Sequence, residues 1–305
     1  FTHVDHALSL ANTRINFTFT GRASHAAAAP HLGRSALDAV ELMNVGVNYL
    51  REHMPSDARI HYAMLDGGGV AANVVQAFAK VHYAVCARDL PGMQKLLARV
   101  VKIAEGAAMM TETKVEASII GAVSNLLGNT PLEQAMDDHF ERLGPVPFDA
   151  ADRDFARRVQ ATLGADDVVT DFLRVGIPLD PEMALHDSVV ARGVRGEPMI
   201  GSTDVGDVSW TVPTVQARVA THAIGTPGHS WQVTAQGKAP AAHKGMVHAA
   251  KVMAGTALEC LSRPALIEAA RADHAARLAQ SPYRCPIPDD VRPPIQPRPA
   301  AASAA

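Results

Sequence analysis

Residues 15–20, Ile-Asn-Phe-Thr-Phe-Thr, alternate apolar and polar side chains, the period of a half-buried strand. Gly21 ends that run. Behind Ser35 the period changes. Leu37, Val40, Met43, Val47, Leu50 and Met54 recur at spacings of three and four, one stripe of a helix that Pro55 stops. Residues 58–65 alternate again, with Ile60, Tyr62 and Met64 on one face, until Gly67-Gly68-Gly69 breaks the strand. A third strand is expected over 74–88, where Val81, Tyr83 and Val85 alternate. Pro91 opens a second helix, at a position where its missing N–H does no harm, and Leu97, Val100, Ala104 and Ala107 mark that helix's buried face. Residues 114–120 give a fourth strand. The order β-α-β-β-α-β over residues 10–125 is the split βαβ arrangement of a ferredoxin-like domain. Both helices then lie on one face of the sheet, and the other face needs a different cover.

The pattern after residue 126 is less regular. Residues 130–143 and 149–163 read as helices, with Asp149 and Asp152 placed to cap the second. Residues 164–197 are mixed and acidic at first. Residues 198–237 carry short apolar runs among many Gly, Thr and Pro residues and read as strands and loops. Residues 239–261 and 264–279 read as helices. The tail over 281–305 is rich in Pro and Ala and is expected to be disordered. Several helices with few strands of their own point to a region that completes a sheet whose other strands lie elsewhere.

Composition narrows the function classes. Of 305 residues, 48% are hydrophobic and 19% charged, enough apolar material for a sizeable core. Lys and Arg number 28 against 31 Asp and Glu, a formal charge of -3, so nothing favours nucleic acid or an anionic membrane surface. No apolar run reaches the ~20 residues that span a bilayer. The three cysteines, Cys86, Cys260 and Cys285, make neither a disulfide framework nor a Cys-based zinc site. Their usage fits a reducing compartment, and a cytoplasmic location is the expectation.

Histidine is abundant, at 14 residues. His53, His61, His82, His139 and His274 fall inside element patterns, and His3 and His6 form an HxxH pair near the chain start. His25 stands apart. It follows a strand in Gly21-Arg22-Ala23-Ser24-His25-Ala26-Ala27, among small residues that let another surface come close. It reads either as a turn histidine bonded to local backbone or as one presented to a ligand at a domain edge. His229, in Gly225-Thr226-Pro227-Gly228-His229-Ser230, sits in a Gly/Pro loop where an imidazole could bind a metal or play no part. Asp204 and Asp207 lie in the Gly-flanked loop 201–207 and could orient a ligand or cap a turn. Asn73 and Arg88 bracket the third strand, and a guanidinium suits a substrate carboxylate.

Together these segments resemble the M20 family of metallopeptidases, within its amidohydrolase branch. The residues that carry the resemblance are Phe19–Ala27 with Pro30, Gly33 and Ser35–Val40, then Gly68–Val75 with Arg88, then Gly201-Ser202-Thr203-Asp204, then Gly228-His229. The resemblance implies a ferredoxin-like βαββαβ dimerisation, or lid, domain over 10–125, inserted into a zinc-peptidase-like α/β catalytic domain. Residues 1–9 would end that domain's N-terminal segment and 126–280 would form its C-terminal part. It implies metal-dependent hydrolysis of an aroyl- or acyl-glutamate-like amide, or of another N-acyl amino acid, with a divalent pair of Mn or Zn in the intact protein. His229 would ligate one metal. His25 would reach a neighbouring subunit's site to bind substrate or an oxyanion, and Asn73, Arg88 and Asp204 would hold substrate. The partners implied are the small amide substrate and either a second copy through the lid or a related A subunit. In the family the remaining metal ligands and a glutamate base precede the lid, whereas this chain starts at Phe1. The expectation is therefore an N-terminally truncated chain that is inactive alone and holds no tightly bound metal. A non-catalytic dimerisation module or pseudoenzyme is the alternative, and a carrier that uses Arg88 for an acidic ligand is a further one.

Overall fold

The computed structural model describes residues 1–4, 7–194, 196, 201–292 and 295. His6 of the HxxH pair, the start of the 198–237 segment and the end of the Pro/Ala-rich tail, save residue 295, lie outside the described residues. The chain divides into two compact units. A sheet unit is formed by Ala11–Ser124, with the described residues after Arg284 grouped with it. A helical unit is formed by Phe1–Leu10 and Asn125–Arg284.

A two-residue strand, β1 (His3–Val4), opens the chain and belongs to the helical unit. The sheet unit follows as β2 (Ala11–Thr20), α1 (Ala36–Leu50), β3 (Arg59–Asp66), β4 (Phe78–Ala87), α2 (Leu90–Thr111) and β5 (Lys114–Val123). The sheet order is β3-β4-β2-β5 and every pairing is antiparallel. This is the ferredoxin-like order expected from the periodicity. Register places Ile15 opposite Tyr83 and Phe17 opposite Val81. Phe17, Phe19, Val81, Tyr83 and Val85 thus share one face, and all are buried beneath Val40, Met43 and Val47 of α1 and Met93, Val100 and Ala104 of α2. The two helices approach closely at Gly46, where an added Cβ would lie 2.7 Å from Cγ2 of Ile103.

Two details depart from the pattern. The stripe that ran to Met54 is α-helical only to Leu50 and tightens into a 3₁₀ turn over Arg51–His53. Met54 is extended, as the residue before Pro55 must be. Tyr62 and Met64 alternate in phase with buried Ile60, yet each is 43% exposed. β3 is an edge strand, and burial along it ends after Ile60.

The helical unit continues as α3 (Thr130–Leu143), α4 (Ala150–Gln160), α5 (Ala165–Val175), α6 (Val205–Thr211), β6 (Ala217–Arg218), α7 (Trp231–Gln236), α8 (Pro240–Ser262) and α9 (Pro264–Gln280). Asn129 caps α3, and Asp149 with Asp152 forms a capping box on α4. The expectation of strands over 198–237 is corrected. Among the described residues the segment holds two short helices and one two-residue strand, β6, which pairs antiparallel with β1. Helices of seven and six residues are too short to show a 3.6 period among so many Gly, Thr and Pro residues. Apolar residues gather in separate clusters. One surrounds Phe148, Val159 and Leu185, a second surrounds Val4, Phe140 and Val252, and a third joins Leu132 to Leu266 and Ala270. No helix among the described residues is long and apolar enough to cross a membrane.

Candidate functional site

In the sheet unit the chain leaves β2 through Gly21, whose missing Cβ leaves room for the Arg34 carbonyl. Arg22 and Arg34 exchange two backbone hydrogen bonds of 2.9 Å, and Val75 N–H donates to the Ser24 carbonyl. The loop bearing His25 is thereby stitched to the loop bearing Asn73. His25 bridges to Val74, and Ala26 N–H donates to the Asn73 carbonyl at 2.9 Å. The imidazole is exposed. Its Nδ1 accepts from the backbone N–H groups of Ala27 and Ala28, at 3.2 and 3.1 Å. Two donors aimed at Nδ1 leave the ring proton on Nε2, so the side chain presents one N–H donor outward. The local-backbone reading of His25 is met at Nδ1, and Nε2 is left for the presentation reading.

Arg88 is not part of that cluster. It follows the far end of β4, while the His25 and Asn73 loops join at the Ala77–Phe78 end. Nine strand steps separate those ends, about 30 Å. Asp89 beside it caps α2, its side chain accepting from Gly92 N–H.

In the helical unit Asp204 is exposed and directly precedes α6. Although α6 is short, it is firmly anchored. Ser209 Oγ donates to the Gly206 carbonyl and accepts from Leu127 N–H, Trp210 Nε1 donates to the Asn125 carbonyl, and buried His274 of α9 bonds the Ser209 carbonyl. Asp207 accepts from the Tyr283 hydroxyl at 3.0 Å. An open cavity of about 290 Å³ adjoins the loop, lined by Ser9, Ser202, Thr203, Gln216 and Arg218 among others, and neither Asp204 nor His229 lines it.

His229 is exposed and held at a positive φ of 59°. Its loop is pinned from behind by buried Gln236, which accepts from Ala223 N–H and donates to Thr226 Oγ. Ser230 then caps α7. No hydrogen bond or ion pair joins His229 to Asp204 among the described residues. Nor do these residues contain any group of three or more His, Cys, Asp or Glu side chains that could hold a metal ion. One projecting imidazole suits a single ligand position and does not by itself make a metal centre.

Sequence reasoning missed three buried polar groups in this unit. His186 lies against the ring of Phe1, centroids 4.8 Å apart, its Nδ1 accepting from Thr2 N–H, and burial, aided by neighbouring cationic groups, pushes its pKa down to about 3. Asp137 of α3 is buried with Oδ1 unpartnered. Burial and Glu141 raise its pKa, against the Arg192 guanidinium 4.0 Å away. His248 of α8 is buried with Nε2 unpartnered. Nothing in their local sequence marks them, because burial here comes from contacts distant along the chain.

The four-stranded sheet with two helices on one face, the outward Nε2 of His25 and the anchored Gly-Ser-Thr-Asp loop occur in a chain whose sequence is similar to M20-like peptidases and amidohydrolases. It is 40% identical over 295 residues to the B subunit of p-aminobenzoyl-glutamate hydrolase of Escherichia coli (strain K12), a match covering 93% of this chain and 61% of that protein. It is 26% identical over 269 residues to Xaa-Arg dipeptidase of Mus musculus, covering 87% of this chain and 52% of the relative. A solved structure assigned as an aminohydrolase from methicillin-resistant Staphylococcus aureus shares the fold with a TM-score of 0.50 and 9% identity, covering 84% of this chain and 54% of that one. No family model matches. The chain thus spans between half and about three fifths of the length of these curated relatives.

Proposed function

We propose that this chain belongs to a metal-dependent amide hydrolase of the M20 type that cleaves a p-aminobenzoyl-glutamate-like or other N-acyl amino acid. The observation that carries the reading is the 40% identity to the E. coli hydrolase across 93% of the chain. The site geometry supports it. His25 offers an Nε2–H donor on a loop braced by its own backbone, suited to a substrate carbonyl as it becomes an oxyanion. Asn73, on the loop bonded to it, would hold the substrate beside it. Arg88 would take the substrate carboxylate through a two-pronged hydrogen bond.

The separation of about 30 Å along β4 means that one small substrate does not touch His25 and Arg88 of the same copy. In this reading the two ends of the sheet unit serve different sites, and His25 acts on a neighbouring subunit. Edge strand β3 exposes Tyr62, Met64 and Leu65 and would pair with a second copy. The relative is named as a B subunit, which makes a related A subunit the other partner to test. When bound, a pair of Mn or Zn ions would activate water and polarise the amide carbonyl, with His229 as this chain's ligand. Asp204 would brace the site. The 305-residue chain alone would be inactive.

The test is a fusion of this chain to the part of the E. coli relative outside the match, assayed with p-aminobenzoyl-glutamate and Mn(II) or Zn(II). Release of p-aminobenzoate is expected from the fusion and not from the chain alone. His25→Ala and His229→Ala should each reduce kcat at least a hundredfold. A folded fusion that cleaves no aroyl- or acyl-amino acid with either metal would overturn the reading.

A further inference from the structure

The chain's two tryptophans are held in opposite ways. Trp210 is 8% exposed, stacks against Tyr283 with ring centroids 6.2 Å apart, and donates its Nε1–H to the Asn125 carbonyl. Trp231 is 63% exposed, and among the described residues no ring stacks on it and no group accepts its Nε1–H. It is the first residue of α7. At about 100° per residue, Gln232 and Gln236 lie about 100° and 140° round that helix from it. Gln236 is buried and Gln232 Nε2 reaches Thr162 Oγ1 at 3.5 Å, so the helix turns these two inward and the indole outward.

A tryptophan normally buries its large apolar area and gives its N–H a partner. Here both are offered to solvent two residues after His229. Two trans peptides hold the Cα atoms of these residues within about 7.6 Å, so the indole lies within reach of a group held at the imidazole. The loop surface between them is open, since an added Cβ at Gly228 would meet no atom within 4 Å. The indole's footing is also fixed. Ser230 Oγ donates to the Pro227 carbonyl at 2.7 Å and caps α7 by accepting from Val233 N–H. An indole on a fixed backbone has only two side-chain torsions to order when a ring stacks on it.

We propose that Trp231 is the aryl platform of the site, the residue that selects an aromatic acyl group over an aliphatic one. In an aroyl amide the ring is bonded directly to the carbonyl carbon. A carbonyl brought to the His229 loop therefore carries its ring with it, and the indole face is an apolar surface on that loop where the ring can stack. The inference rests on the reading of His229 as part of a hydrolytic site. It goes beyond that reading by naming the acyl class: aroyl-amino acids are taken, and amino acids with an aliphatic acyl group are poor ligands.

The first readout is binding, followed by NMR on the two indole N–H signals of the isotope-labelled 305-residue chain and on the same residues in the metal-free fusion. Benzoyl-glutamate should move the Trp231 signal and leave that of Trp210, held by Asn125, in place. Acetyl-glutamate should move neither. Trp231→Phe identifies the signal by its loss. The second readout is selectivity in the metal-loaded fusion. Trp231→Leu should lower kcat/KM for p-aminobenzoyl-glutamate at least about tenfold more than for acetyl-glutamate, and Trp231→Phe should keep the aroyl preference within about threefold. A merely structural role would not split the two substrates. If the fusion hydrolyses neither substrate and benzoyl-glutamate still moves Trp231, the hydrolase reading fails and the aryl platform stands. A Trp231 signal that benzoyl-glutamate moves in neither sample overturns the proposal. So does a Leu variant that loses both substrates equally. A Trp231 signal moved by the fusion itself, and then indifferent to benzoyl-glutamate, would make the indole a packing residue and overturn it too.

Discussion

The sheet unit gathers its apolar residues into one continuous cluster between a four-stranded sheet and two helices, whereas the helical unit divides its own among three smaller ones. The sheet unit's long helices each bury an apolar stripe, although Val45 and Tyr49 of α1 and Met109 and Met110 of α2 are exposed, as are Tyr62 and Met64 on the edge strand. The helical unit leaves a whole apolar band of α8 in water and supports it with a two-residue strand pair. The difference teaches that the two units stand on different footings. The first closes its core with local, periodic elements, while the second spreads its apolar residues over separate clusters and an exposed helix face.

The largest effect that could break this contrast lies in the sheet unit's core. Phe17 is fully buried and meets Tyr83 edge-on at 5.7 Å. Phe17→Ala should cost about 3–5 kcal/mol by urea denaturation. A loss below about 1 kcal/mol would show that the cluster is loosely packed.

Acid should separate the units next. His186 has a folded pKa of about 3 against an ordinary value of 6.5. The unfolded chain therefore takes up the proton first, and the neutral ring's contribution is complete above pH 6.5. Below that it is lost as pH falls toward 3, by at most about 1.4 kcal/mol per pH unit. Probes in the helical unit should report the slope, and His186→Gln should flatten it. An unchanged slope in that variant would contradict the assignment.

Smaller effects sharpen the picture of how loops are held. Gln236→Ala leaves Ala223 N–H buried without its acceptor and should cost about 1–3 kcal/mol, with faster exchange in the loop around His229. Ser35→Ala removes the cap that accepts from Asp38 N–H and should cost about 1 kcal/mol in the sheet unit alone.

The same contrast explains what was legible in the sequence. Periods of two and of three to four located every strand and helix of the sheet unit, because each element is long and half-buried. In the helical unit α3, α8 and α9 were equally plain. α6 and α7 were not, since helices of seven and six residues give no repeat to read. His25 stood out through its small neighbours, but its outward Nε2–H becomes apparent only once Ala27 and Ala28 are seen to donate to Nδ1. The 3.6 period marked α8 as a helix without showing that its apolar residues occupy two faces.

Hydrogen exchange on the isolated 305-residue chain tests the central contrast most directly, because protection reports the free energy of local opening. The amides of β2 and β4 should be the slowest in the molecule, exchanging only when the sheet unit unfolds. Those of β6 and of residues 246–261 should exchange well before them. Protection in β6 and α8 equal to that in β2 and β4 would show that the two units are equally well secured, and would contradict the account.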